Sequence, residues 1–123
     1  MIVGIGTDLV ENRRIEKACL QESFVKRSFT EKEQELIAHN LGKASGNFAV
    51  KEAVTKAFGT GFRQMRLTDI EVLRDELGKP YVNLYNNALE KAKELNISDI
   101  HVSISNTSEY TIAYVIAESR SLG

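Results

Sequence analysis

Apolar and polar positions along the chain alternate in two rhythms, and the changes between them mark out the elements. Ile2 to Val10 is apolar and partly β-branched, with Gly4, Gly6 and then Thr7 and Asp8. It reads as a buried strand whose end turns into a helix over about Asn12 to Leu20. Thr30-Glu31-Lys32-Glu33 has the capping-box pattern and introduces Leu36, Ile37 and Leu41 at helical spacing, which predicts a second helix. From Ala44 to Phe58 the apolar positions Phe48, Ala49, Ala53, Val54, Ala57 and Phe58 follow a 3.6-residue period, and Gly59 supplies the stop.

The second half changes to period two. Ile70 to Asp75 and Tyr81 to Tyr85 alternate around Glu76-Leu77-Gly78-Lys79-Pro80, which predicts a hairpin. Asn87 to Leu95 is rich in Ala, Leu, Glu and Lys and reads as an exposed amphipathic helix ending near Asn96. His101 to Ser105 and Tyr110 to Ala117 are two further strands around a polar turn, Asn106 to Glu109. The expected class is α+β, one domain over 1–123 with early helices packed on a largely antiparallel sheet. No repeat of sequence motifs and no low-complexity linker divides it.

Composition narrows the function more by exclusion than by indication. The chain has 123 residues and a net charge of −1, so nothing global marks it for nucleic acid or a membrane surface. Cys19 is the single cysteine, which excludes an internal disulfide, and with only His39 and His101 there is no zinc-type ligand set. Cys19 and both histidines read as structural. No apolar run approaches the ~18 residues of a membrane span, and a soluble, cytoplasmic, unexported protein is expected.

The candidate chemistry lies in two separated segments. Glu52 stands one helical turn before Lys56, on a helix whose other positions look core-facing, where an unpaired carboxylate is expensive. Asp8 is a second carboxylate, after the first strand. Together they suit magnesium, which takes one or two protein carboxylates and lets substrate phosphates complete its shell. Each has a plainer reading: Asp8 as a helix N-cap or a turn residue after a strand, and Glu52 as an i,i+4 partner of Lys56. Lys56 could neutralise a phosphoryl group in its transition state. Gly59-Thr60-Gly61 follows a helix rather than preceding one, so it fits a C-cap, though it also lets a ligand approach the backbone. Arg13, Arg14 and Lys17 form a basic helical face, either solvated surface or a dock for an acidic partner, with Ile15, Ala18 and Phe24 as candidate apolar anchors.

With these segments in hand the chain resembles the holo-acyl-carrier-protein synthases, the small phosphopantetheinyl transferases of fatty-acid synthesis. The resemblance covers nearly the full length. It is carried by Gly4-Ile5-Gly6-Thr7-Asp8, Arg14-Ile15, Phe48 to Ala53 through Lys56-Ala57 to Gly59-Thr60-Gly61, Gly78-Lys79-Pro80, and Val102 to Ser105. It implies transfer of the 4'-phosphopantetheine arm of coenzyme A to a serine of acyl carrier protein, in the phosphopantetheinyl transferase fold. Asp8 and Glu52 are then magnesium ligands, and Glu52, directly or through a metal-bound water, is the base. Lys56 stabilises the transferring or leaving phosphate, while Arg13, Arg14 and Lys17 dock the carrier protein. The short bacterial type is homotrimeric with sites between subunits, which assigns Gly59, Thr60, Gly61, Pro80, Ser105 and Asn106 to the coenzyme A pocket. One position departs from the pattern: many members carry histidine where this chain has Asn106, so a phosphate contact there is weaker or replaced. Two other readings use the same residues, a metal-dependent phosphohydrolase with water as nucleophile and a non-catalytic module that binds an acidic protein.

Overall fold

The computed structural model describes residues 1–60 and 64–120. Strand β1 (Ile2–Glu11) leads into α1 (Asn12–Ala18), α2 (Glu22–Ser28), α3 (Glu31–His39) and the long α4 (Gly42–Phe58). A 3-10 turn at Leu67–Asp69 precedes β2 (Ile70–Arg74), β3 (Pro80–Leu84), α5 (Asn86–Glu94), β4 (Asp99–Asn106) and β5 (Tyr110–Glu118). The strands make two antiparallel sheets, a three-stranded one in the order β1-β5-β4 and the hairpin β2-β3. The α+β class stands, with the sheet split in two.

Helix α4 lies at the centre. Its small residues Ala49, Ala53 and Ala57, with Val50 and Val54, pack against Ala113, Val115 and Ala117 of β5 and Ile70 and Val72 of β2. A second cluster, built on Ile15, Phe29, Ile37 and Ala44, takes in Phe24 and Phe48 and fastens α1, α2 and α3 to the start of α4. Gly59 ends α4 in the left-handed conformation, φ 76°, with its N–H donating to the Lys56 and Thr55 carbonyls, as the sequence predicts.

Two glycines of β1 determine how close α4 comes. A Cβ built on Gly4 would stand 2.0 Å from the Ala57 carbonyl oxygen, and one on Gly6 would stand 1.9 Å from that of Ala53. Both obstacles are helix backbone, which has no rotamer to change. Gly6→Ala is therefore expected to force β1 and α4 apart and destabilise the fold by about 1–3 kcal/mol or more, measured by urea unfolding. An unchanged midpoint would show that the crossing yields freely.

The capping box at Thr30 is present and extends into a buried polar network. The Thr30 hydroxyl accepts from the Glu33 N–H at 3.3 Å and the Thr30 N–H donates to Glu33 Oε1 at 3.0 Å. The same carboxylate accepts from Lys51 Nζ at 2.7 Å, Asn47 Nδ2 at 2.9 Å and the Val72 N–H at 3.2 Å. Lys51 also donates to the Leu67 carbonyl at 2.8 Å and to that of Ile70. Both members of this ion pair have side chains with 0% exposure. Burial raises the Glu33 carboxyl and lowers the Lys51 ammonium, each opposed by the other's charge.

Several expectations need correction. β1 is an edge strand, and its outward residues Ile5 and Leu9 are 70% and 61% exposed. It continues through Asp8, which pairs with Ala113, so Asp8 is no helix cap; Glu11 holds the α1 N-cap position. The first helix ends at Ala18, and α2 follows where no helix is expected. Ile15 is buried, and Phe24 packs edge-on against Phe29 and at a tilt against Phe48, so neither is a surface anchor.

Candidate active site

The close crossing of β1 and α4 assembles the site. Side chains alternate across a strand, so Gly4, Gly6 and Asp8 share the face turned to the helix, and Asp8 is the first of the three with a side chain to offer. Lys56 reaches across from α4, donating to the Thr7 carbonyl at 2.9 Å and to Asp8 Oδ1 at 3.2 Å. Its side chain remains 55% exposed, while that of Asp8 is 16% exposed. The i,i+4 ion pair between Glu52 and Lys56 does not form, because the ammonium turns to the strand instead. Burial and the charge of Asp8 hold the half-buried Glu52 carboxyl above the usual carboxylate range, with Lys56 pulling it down. Glu52 thus feels the charge of Asp8, and the lysine's ion pair goes to Asp8.

That electrostatic imbalance is what a bound cation would relieve, and two carboxylates suit a magnesium ion that shares its shell with phosphate oxygens. Among the described residues no group of three or more His, Cys, Asp or Glu side chains is gathered that would hold a metal unaided. The donor set fits a metal brought to completion by an anionic substrate.

The other predicted site residues fall in different places. Pro80 and Asn106 line one cavity of ≈ 250 Å³ with Lys43 and Arg74. Gly59 and Thr60 line another of ≈ 420 Å³ with Met65, Asn87 and Lys91; Gly61 lies outside the described residues. Ser105 is exposed, and strand alternation sends it to the outward face with His101 and Ser103, away from Asn106. Neither cavity is lined by Asp8, Glu52 or Lys56. Arg13, Arg14 and Lys17 are exposed along a groove beside α1 that also holds Leu20, 80% exposed, and Leu41, 44% exposed. These leucines, rather than Ile15 and Phe24, are the exposed apolar residues beside the basic face.

A family model described as the 4'-phosphopantetheinyl transferase superfamily matches residues 4–115. The chain belongs to this superfamily. It is 58% identical over 118 residues to a holo-[acyl-carrier-protein] synthase of Lachnoclostridium phytofermentans, with 96% of this chain and 97% of the relative covered. Among solved structures it is similar to a Neisseria meningitidis holo-[acyl-carrier-protein] synthase at 35% identity and a TM-score of 0.84, covering 97% of this chain and 100% of the other. It is also similar to a Bacillus anthracis holo-(acyl-carrier-protein) synthase in complex with CoA (3',5'-ADP), at 37% identity and a TM-score of 0.80, covering 97% and 98%.

For a phosphopantetheinyl transferase superfamily member, the notable additions are Lys43 and Arg74, which sequence reasoning passed over. Each is a basic residue at the end of an element, one in the first turn of α4 and one closing β2. Only the tertiary fold brings them to Asn106. The one hint in the sequence is Asn106 itself, a neutral residue where a charged one is expected.

Proposed function

We propose that the chain transfers the 4'-phosphopantetheine arm of coenzyme A to a serine hydroxyl of apo-acyl carrier protein, releasing adenosine 3',5'-bisphosphate, in fatty acid biosynthesis. In this reading residues 1–123 work as one transferase domain in the cytoplasm. No helix among the described residues is long and apolar enough to cross a membrane. The observation that carries the proposal is the convergence of Asp8, Glu52 and Lys56 at the β1/α4 crossing of a superfamily member.

Asp8 and Glu52 would hold magnesium. When bound, the ion supplies Lewis-acid polarisation of the phosphoryl oxygens. Glu52, held more basic than an ordinary carboxylate by burial and the charge of Asp8, would act as the base. The serine oxygen forms a bond to the phosphorus that carries the pantetheine arm, the bond from that phosphorus to the adenosine bisphosphate breaks, and the serine proton passes to Glu52. Lys56, whose side chain is 55% exposed, would exchange Asp8 for a phosphate oxygen and offset the charge that grows there. Arg13, Arg14 and Lys17 attract the acidic carrier protein, and Leu20 and Leu41 offer apolar contact beside them.

A homotrimer with sites between subunits completes the reading. It is supported by the outward face of the β1-β5-β4 sheet, where Ile5, Leu9, Tyr114 and Ile116 are exposed together at 70%, 61%, 58% and 39%. Such a surface is costly in a free monomer. The dispersal of Asp8 and Glu52, Asn106, and Ser105 over separate surfaces of one chain has the same explanation. Light scattering is expected to give three times the chain mass, and Tyr114→Asp to give monomers with transfer activity lost. A wild-type monomer at assay concentration would remove the trimer.

The deciding experiment is the intact mass of apo-acyl carrier protein after incubation with the enzyme, coenzyme A and Mg²⁺, beside a chelated control. A gain of one phosphopantetheine arm that needs the metal supports the proposal. Free phosphopantetheine without carrier protein supports the hydrolase reading instead, and no reaction by the folded protein supports the binding module.

A further inference from the structure

Asn12 opens α1, the helix that bears Arg13, Arg14 and Lys17, yet its side chain turns to the sheet. Its main-chain N–H donates to the Glu109 carbonyl at 2.8 Å, and its amide Nδ2 donates to the carbonyls of Thr107 at 2.9 Å and Ser108 at 3.3 Å. Three consecutive carbonyls of the β4–β5 turn thus accept from one residue far away in sequence. The amide oxygen accepts from the hydroxyl of the buried Thr111 at 2.6 Å. Carbonyls can only accept, so the opposite orientation of the amide would lose both turn contacts.

The turn is exposed over residues 107–110. It closes on itself through the Thr107 N–H, which donates to the Tyr110 carbonyl at 2.8 Å, and the Thr107 hydroxyl, which accepts from the N–H groups of Glu109 and Tyr110 at 3.2 and 3.0 Å. Those bonds shape the turn, whereas the bonds to Asn12 place it on α1. Water would satisfy exposed carbonyls almost as well, so what the contact adds is location more than stability. The helix is the fixed side, because Ile15 roots α1 in the core with Phe29, Ile37 and Ala44. The positioned side is the end of β4. Asn106 directly precedes Thr107 and pairs across the sheet with Thr111, and Asn106 and Thr111 line one cavity. Asn12 therefore holds the chain on both sides of Asn106, the next residue in sequence and the partner in register.

We infer that Asn12 is a positioning residue for coenzyme A: standing on the helix read as the carrier dock, it acts through the β4–β5 turn to hold Asn106 and Thr111 in place. The inference rests on the transferase reading, which puts Asn106 in the coenzyme A pocket. It separates two neighbours on one helix. Arg14 serves the carrier protein, and Asn12 serves the other substrate.

The test measures transfer kinetics in both substrates, with calorimetric binding of adenosine 3',5'-bisphosphate, for the wild type, Asn12→Leu, Thr111→Val, the double variant and Arg14→Ala. Asn12→Leu keeps the main-chain bond to Glu109 and loses the side-chain bonds. It is expected to raise KM for coenzyme A and Kd for the bisphosphate by about three- to tenfold, with kcat and KM for carrier protein within about twofold of the wild type. Thr111→Val shifts the same two quantities by a smaller factor, and the double variant goes no further than Asn12→Leu, because both act on one linkage. Arg14→Ala raises KM for carrier protein alone. If Asn12→Leu does not fold, Thr111→Val carries the comparison. A folded Asn12→Leu with coenzyme A and bisphosphate binding unchanged overturns the inference, as does one that loses stability alone or raises KM for carrier protein instead. A wild type that neither binds the bisphosphate nor transfers overturns the transferase reading, and the inference with it.

Discussion

Glu52→Gln is expected to lower kcat for phosphopantetheine transfer by about 10²- to 10⁴-fold, the range that general-base catalysis contributes. The same variant is expected to fold and to be at least as stable as the wild type near neutral pH. The sign follows from linkage. Burial and the charge of Asp8 raise the Glu52 pKa in the folded chain, so between the unfolded and folded values the native state binds more protons than the unfolded one. Stability therefore falls as pH rises through that window, and the ionised carboxylate is a liability above it. The glutamine variant removes the liability, and its advantage over the wild type disappears as the pH is lowered to the ordinary glutamate pKa. Thermal unfolding of both proteins across that range, beside single-turnover transfer assays, measures the two effects together. A variant that kept its activity would remove Glu52 from the chemistry, and one destabilised at neutral pH would mean that its charge is paired in the apo protein.

Lys51→Met is expected to destabilise the chain by about 3–5 kcal/mol, because it leaves the Glu33 carboxylate buried without its counter-ion. That is a large share of the stability of a domain this size. Truncating both partners, as Lys51→Met with Glu33→Leu, removes the stranded charge. The double variant still loses the capping box and the Asn47 and Val72 hydrogen bonds. Its stability is expected to lie between the wild type and Lys51→Met, and a double variant weaker than the single would mean those hydrogen bonds matter more than the charge. Urea midpoints for the three proteins and for Glu33→Leu complete the cycle.

Helix α4 was legible because its cues are local: apolar residues at helical spacing and a glycine where the chain must turn left-handed. The capping box at Thr30 and the hairpin around Gly78 are local in the same sense. Helix α2 was not, since seven residues are too few to be stable by propensity, and what orders them is Phe24 packed on Phe29 and Phe48. Lys51 and Lys56 sit in the same helix five residues apart, and no neighbouring residue tells the buried one from the exposed one. Their fates are decided by Glu33 and Asp8, far away in sequence. For the site, the structure brings Asp8, Glu52 and Lys56 together, and Lys56 pairs with Asp8 rather than with Glu52 as the plainer reading has it, because helical spacing reports what a helix offers itself and not what a strand offers it. Lys43 and Arg74 needed the fold to be noticed at all.

Gly4 and Gly6 have a meaning for how the enzyme tolerates change. Where most strands and helices are held apart by interlocking side chains, here the separation is defined by main chain against main chain. Side-chain cores drift as sequences diverge, and distances measured through them drift too. A gauge made of backbone does not, so the span from Asp8 to the helix bearing Glu52 and Lys56 can stay constant while the surrounding apolar residues are exchanged.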